Sequence, residues 1–143
     1  MTLVEDGRLN SRELAERVGL SQTPVIRRVR RLESEGYIRG YGAQLDEAKI
    51  GGEITVYISV TLQAQTVEAL AAFEREVVKA PEVMSCFLMS GGADYMLRVI
   101  TPNLTAYQDF LMNSLTAIPG VAHIQSSFAL RAILQRAAPE LSS

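Results

Sequence analysis

From Glu53 to Gln63 the chain reads EITVYISVTLQ, in which Ile54, Val56, Ile58, Val60 and Leu62 alternate one for one with Thr55, Tyr57, Ser59 and Thr61. A period of two marks a β-strand buried on one face, and it is incompatible with an amphipathic helix. Such a strand needs partner strands and a layer packed on its apolar side. The residues that follow supply both. Thr66 can cap a helix to about Lys79 that turns Leu70, Phe73 and Val77 inward. EVMSCFLMS and YMLRVIT read as two strands joined through Gly91-Gly92. A further helix runs from about Leu104 to Ala117 with Leu104, Tyr107, Leu111 and Ile118 on one stripe, and Pro119-Gly120 ends it. The last strand, VAHIQSSFALRAIL, buries Ile124, Phe128 and Leu130 and turns His123, Gln125, Ser127 and Arg131 the other way. Strand, helix, strand, strand, helix, strand is a ferredoxin-like split pattern, expected over residues 53–134 with a tail at 135–143.

Two helices cover only one face of such a sheet. Tyr57 and Ser59 stand on the other, joined by either Met84, Cys86 and Leu88 or Phe87 and Met89, according to the register of the second strand. A face that apolar predicts a second copy of the same sheet over it, a two-fold dimer with Tyr57 and Ser59 in the interface.

Before Gly51-Gly52 the hydrophobic period is helical, which places a first domain over residues 1–48. Asn10 or Ser11 can cap a helix with Leu14, Ala15 and Val18 inward, and Gly19 ends it. Ser21 caps a second helix, Gln22 to about Glu35, with Pro24 in its first turn and an apolar seam of Ile26, Val29 and Leu32. Gly36 stops that helix, and YIRGYGAQL can form a hairpin-like wing. The second helix carries the chain's strongest charge cluster. Between Arg17 and Arg31 there are five arginines (Arg17, Arg27, Arg28, Arg30, Arg31) and no acid, within a chain of net charge −2.

A charge run can be a solvated helix face, and it can be a surface for an anion. The Gly-Leu-Ser turn between the two helices and the wing after them favour the second, because together they make a winged helix-turn-helix. In that arrangement the second helix enters the DNA major groove. Ser21, Gln22 and Thr23 at its start can reach base edges, and Arg27, Arg28, Arg30 and Arg31, with Arg39 from the wing, contact guanine edges or phosphates. The whole-chain charge would not suggest this. The basic excess is local, with nine basic against eight acidic residues over 1–50 and five against eight over 51–143.

The stretch ELAERVGLSQTPVIRRVRRLESEGYIRGYGAQLD resembles the DNA-binding half of the Lrp/AsnC, or feast/famine, regulators, and VMSCFLMSGGADYMLRV resembles the hairpin of their effector domain. The resemblance runs from about Asp6 to Leu134 and implies a transcription regulator whose dimers assemble further, often to octamers, and respond to a small effector, usually an amino acid. It implies an effector site at Ser90, Gly91, Gly92, Asp94 and Tyr95, with Gln125 and Ser127 of the last strand as further members. Glycine amides can donate to an α-carboxylate and an Asp can accept from an α-ammonium. Gly-Gly-Ala-Asp also makes a tight turn for purely local reasons, so both readings stand. Met89 and Met96 near the loop favour an apolar side chain such as leucine or methionine. The family normally has a further helix before the DGR-like turn, where here only Met1 to Glu5 precede Asp6-Gly7. Two or three missing core side chains at roughly 1.5 to 3 kcal/mol each would weaken that unit. This opens an alternative, a stand-alone amino-acid-binding oligomer without effective DNA binding.

Nothing else in the sequence points to chemistry. His123 is the only histidine and Cys86 the only cysteine, which leaves no internal disulfide, zinc spacing or catalytic pair, and no phosphate loop is present. No enzyme activity, metal or cofactor is expected. With no apolar run near the roughly 18 residues of a membrane span, a cytoplasmic protein is expected.

Overall fold

Asn10 starts the first full helix by a reciprocal cap. Its Oδ1 accepts from the amides of Arg12 and Glu13, each at 3.0 Å, and the Glu13 carboxylate accepts from the Asn10 amide at 2.9 Å. In the computed structural model, which describes residues 1–139, that helix is the second of three. They are α1 (Thr2–Glu5), α2 (Ser11–Val18) and α3 (Gln22–Ser34). Gly19, at φ 65°, turns the chain between α2 and α3, a left-handed conformation that a Cβ would penalise. The three helices belong to a compact unit of residues 1–44 together with residues 133–139, and a second unit comprises residues 45–132. Part of the tail expected at 135–143 therefore lies outside the described residues.

The core of the first unit is small. Leu14, Ala15 and Val25 are buried, and Leu3, Leu9 and Val29 pack against them. The expected α3 seam of Ile26, Val29 and Leu32 is corrected here. The innermost residue is Val25, and Leu32 is 39% exposed. The angle at which the Gly19–Ser21 turn presents α3 fixes which side faces α2, and periodicity within α3 carries no information on that angle. The wing segment also differs from expectation, since residues 37–46 form no strand. Gly40 and Gly42 interrupt it, and no second arm among the described residues pairs with it. Tyr41 anchors it instead, its hydroxyl donating to Glu33 Oε1 of α3 at 2.8 Å.

The second unit contains β1 (Ile54–Leu62), α4 (Val67–Val77), β2 (Val83–Leu88), β3 (Tyr95–Thr101), α5 (Leu104–Phe110) with a π-turn over Leu111–Leu115, and β4 (Val121–Ala129). The strands form one antiparallel sheet in the order β2-β3-β1-β4, the ferredoxin-like arrangement. Val56, Ile58, Val60 and Leu62 of β1 and Tyr95, Leu97 and Val99 of β3 pack under Phe73 and Val77 of α4 and Tyr107, Phe110 and Leu115 of the second helical segment. Burying a side chain the size of Phe73 stabilises the fold by up to about 3 kcal/mol.

Some apolar assignments change. The Thr116 amide bonds to Leu111 O at 3.0 Å, and its hydroxyl caps Leu111 O and Met112 O. This five-residue step brings Leu115 inward, a phase that a regular helical stripe does not give. Leu104 is exposed, because Cβ vectors lean toward a helix N-terminus and it occupies the first position. Leu130 is 96% exposed, since β4 ends at Ala129.

The pairing register also decides which β2 residues face away from the helices. Cys86 lies opposite the buried Leu97, and Phe87 lies opposite Met96 on the open face. A bulge between Val83 and Ser85 lets Val83 and Cys86, three residues apart, both face the core.

Candidate functional site

Two surfaces carry the residues singled out in the sequence. On the first, Thr23, Arg27, Arg28, Arg30 and Arg31 lie along α3 and are exposed, and Arg39 is exposed beyond it. Arg27, Arg28, Arg30 and Arg39 have no ion pair among the described residues, whereas Arg31 pairs with Glu35 one turn on, Nε to Oε1 at 2.7 Å. Exposed pairs of this kind contribute about 0–1 kcal/mol, so Arg31 can leave Glu35 for a phosphate at little cost. Ser21 holds the N-cap position without a side-chain bond, which leaves its hydroxyl open to a partner. Gln22 is different. Its Nε2 donates to Ser11 Oγ at 2.8 Å and ties the start of α3 to the start of α2. It braces the turn, whereas Thr23 beside it makes no side-chain hydrogen bond among the described residues.

The second surface is the β2–β3 hairpin. Ser90, Gly91 and Gly92 are exposed at its tip. Gly91 has φ 113°, and nothing lies within 4 Å of where a Cβ would stand on either glycine, so the loop backbone is open to a ligand. The Met89 amide donates to Asp94 O at 2.8 Å and closes the loop. Asp94 is held at its amide and at one carboxylate oxygen: its amide donates to Val60 O at 2.9 Å, and its Oδ2 accepts from the Leu62 amide at 2.7 Å and from Gln65 Nε2 at 3.2 Å.

Tyr95 does not belong to this mouth, a correction to the sequence-based site. It is 1% exposed, its ring stacks on Phe73 at 4.5 Å between centroids, and its hydroxyl donates to Glu74 Oε1 at 2.7 Å. Alternation along β3 puts it on the helical side, while Asp94 before it ends the turn. Burial first, and then the Glu74 carboxylate, push its phenol well above the usual tyrosine range. The same two causes raise the Cys86 thiol, so it is a packed neighbour rather than a thiolate. Gln125 and Ser127 are exposed on β4 opposite Ser59 and Tyr57. Because β1 lies between β4 and β3, one chain does not bring them to the glycine loop.

The sheet's open face carries Tyr57, 42% exposed, and Ser59 beside Met96 and Phe87. Sequence reasoning missed that the chain partly covers this face itself. Glu47 pairs with Arg98, and Gly52 lies so close to Ile100 that a Cβ would come within 2.6 Å of its methyl. The stretch before β1 thus shields Arg98 and Ile100. Gln65 was missed too, for an exposed Gln in a turn gives no sequence signal.

A helix-turn-helix with an exposed arginine face, joined to a ferredoxin-like domain with an exposed glycine loop, fits a DNA-binding transcription regulator with a separate ligand-binding domain. Residues 2–39 match the winged helix-turn-helix DNA-binding family and residues 55–139 the Lrp/AsnC ligand binding domain. The chain is 58% identical over 139 residues to the Bkd operon transcriptional regulator of Pseudomonas aeruginosa, covering 97% of this chain and 91% of that one. It is 36% identical over 133 residues to the leucine-responsive regulatory protein of Escherichia coli, covering 93% and 81%. Among solved structures, a transcriptional regulator of Neisseria meningitidis in complex with L-methionine superposes with a TM-score of 0.90 at 36% identity, covering 95% and 88%. The chain belongs to the Lrp/AsnC family of transcriptional regulators and is not an enzyme. No helix among the described residues is long and apolar enough to cross a membrane.

Proposed function

We propose that this regulator binds operator DNA through Ser21, Thr23 and the arginines of α3, and binds an amino acid with an apolar side chain, leucine or methionine, at the Ser90–Asp94 loop. It is a cytoplasmic protein that dimerises through Tyr57 and Ser59 on the open sheet face, and the dimers assemble to an octamer. Gln125 and Ser127 reach an effector only where another copy brings its β4 to the loop. One observation carries the effector reading. Gly91 and Gly92 leave the loop amides uncovered, and Asp94 beside them keeps Oδ1 without a hydrogen bond among the described residues while Oδ2 is taken. An α-carboxylate suits the first feature and an α-ammonium the second. The methionine-bound relative supports the ligand class.

Titration calorimetry with leucine, methionine, asparagine and lysine tests this reading. Leucine or methionine should bind, and Asp94→Asn, which keeps an oxygen for the Leu62 amide but removes the charge, should weaken binding by about ten- to a hundredfold. A parent protein that binds none of the four would refute the effector reading.

A further inference from the structure

Gln65 is exposed in the connection between β1 and α4, two residues before α4 begins. Exposed glutamines usually point into water, where they lose nothing. This one is committed at two points, its Nε2 donating to Leu62 O at 3.0 Å and to Asp94 Oδ2 at 3.2 Å. The next residue is itself fixed, since Thr66 caps α4 by accepting from the Ala69 amide at 3.1 Å. The root of the Gln65 side chain is therefore set by the start of a helix, and its amide head spans the end of β1 and the residue that closes the hairpin loop.

The role of those bonds follows from what water could do in their place. At an exposed site water replaces a neutral donor at almost no cost in stability, so the pair of bonds adds little to folding. Water cannot replace direction. With the Leu62 amide and Gln65 both on Oδ2, the carboxylate cannot turn about its Cβ–Cγ bond without breaking two hydrogen bonds. Oδ1 is then left as the single oxygen without a partner among the described residues. A ligand ammonium meets a pre-oriented acceptor and does not have to order it on binding.

We propose that Gln65 is a positioning residue of the effector site, one that orients Asp94 toward the ammonium group of an amino-acid ligand and so sets the preference for amino acids over the same carbon skeletons lacking nitrogen. The proposal rests on the effector-loop reading above.

The test compares the parent with Gln65→Leu in the full chain, titrating L-methionine and its deaminated analogue 2-hydroxy-4-methylthiobutanoate by calorimetry, with melting curves of both unliganded proteins. The expected result is unchanged melting without ligand and an affinity for L-methionine lower by about tenfold, with affinity for the analogue altered less than about twofold. Equal loss for both ligands would make Gln65 a structural residue and overturn the proposal. No change for either would overturn it as well. Should Gln65→Leu precipitate, Gln65→Asn keeps the amide but shortens its reach, and the same outcomes apply. The two readings fail differently. Loss of methionine binding in Asp94→Asn with none in Gln65→Leu removes the positioning role alone, whereas a parent that binds no amino acid removes the site and the role together.

Discussion

The two units of this chain divide stability and recognition unequally. In the sheet unit twelve residues, from Val56 to Leu115, form a continuous buried cluster between a four-stranded sheet and two helical segments. In the helical unit the buried cluster is Leu14, Ala15 and Val25. Leu14 and Val25 at about 1.5 to 3 kcal/mol each, with about 0.8 kcal/mol from the Ala15 methyl, offset the ordering of only a few residues, at about 1–2 kcal/mol of backbone entropy apiece. The sheet unit is a platform that can carry an exposed loop of glycines, and the helical unit is a thin support for an arginine face. A recognition surface that must meet DNA gains little from a deep core behind it. An exposed loop built from glycine needs rigid strands on both sides to hold one shape, and β2 and β3 provide them, with β1 beside β3.

Cutting each core once separates the two units most directly. Phe73→Ala should cost about 3–5 kcal/mol and unfold the sheet unit cooperatively. Val25→Ala should cost about 1–3 kcal/mol, abolish DNA binding, and leave the β-sheet signal and its melting nearly unchanged. Equal loss of sheet structure in both variants would contradict the division.

Less drastic is a change to the recognition face alone. Replacing both Arg27 and Arg28 with Ala should leave the fold intact and weaken binding to an operator fragment. For every phosphate that these arginines neutralise in the parent complex, the log-log salt slope should fall by about 0.9 in the variant. Arg31→Ala should weaken binding about as much as loss of Arg27 or Arg28 alone, because its exposed pair with Glu35 costs only about 0–1 kcal/mol to break. An unchanged slope in the double variant would place the DNA elsewhere.

The smallest expected effect is on pH dependence. Tyr95 is raised by burial and by Glu74, so its folded value lies above the unfolded one near 10. As pH rises past about 10 the unfolded chain loses its phenol proton first. The stabilisation is complete below that pH and is lost as pH climbs toward the folded value, at up to about 1.4 kcal/mol per unit. Tyr95→Phe should flatten this alkaline limb in urea titrations at successive pH values, and a limb of unchanged slope would mean that the hydroxyl is not buried against Glu74.

Most of the architecture was legible because local and global signals agree in this chain. The alternation of β1 needs no partner to be read, and Asn10, Gly19 and Thr66 mark helix ends by their own chemistry. What the sequence left open or misplaced depends on how elements meet. The register of β2 turns on a bulge at Met84, the inward side of α3 on the rotation set by its turn, and the stripe of the second helical segment on a π-step at Thr116. Of the proposed site, Gly91, Gly92 and Asp94 could be proposed from sequence, because their residue types suit a loop open to a polar ligand. Tyr95 is carried into the core by the alternation of β3, and the bond from Gln65 to Asp94 has no signal in the sequence because it joins segments 29 residues apart.

Native-state hydrogen exchange reads the division between the units without altering a residue. Amides of β1 and β3 should exchange only through global unfolding, while those of α2 and α3 should open locally, with protection at least about a hundredfold lower, and α3 should gain protection when an operator fragment is added. Equal protection in the two units, with no gain in α3 on DNA, would mean that stability and recognition are not divided between them.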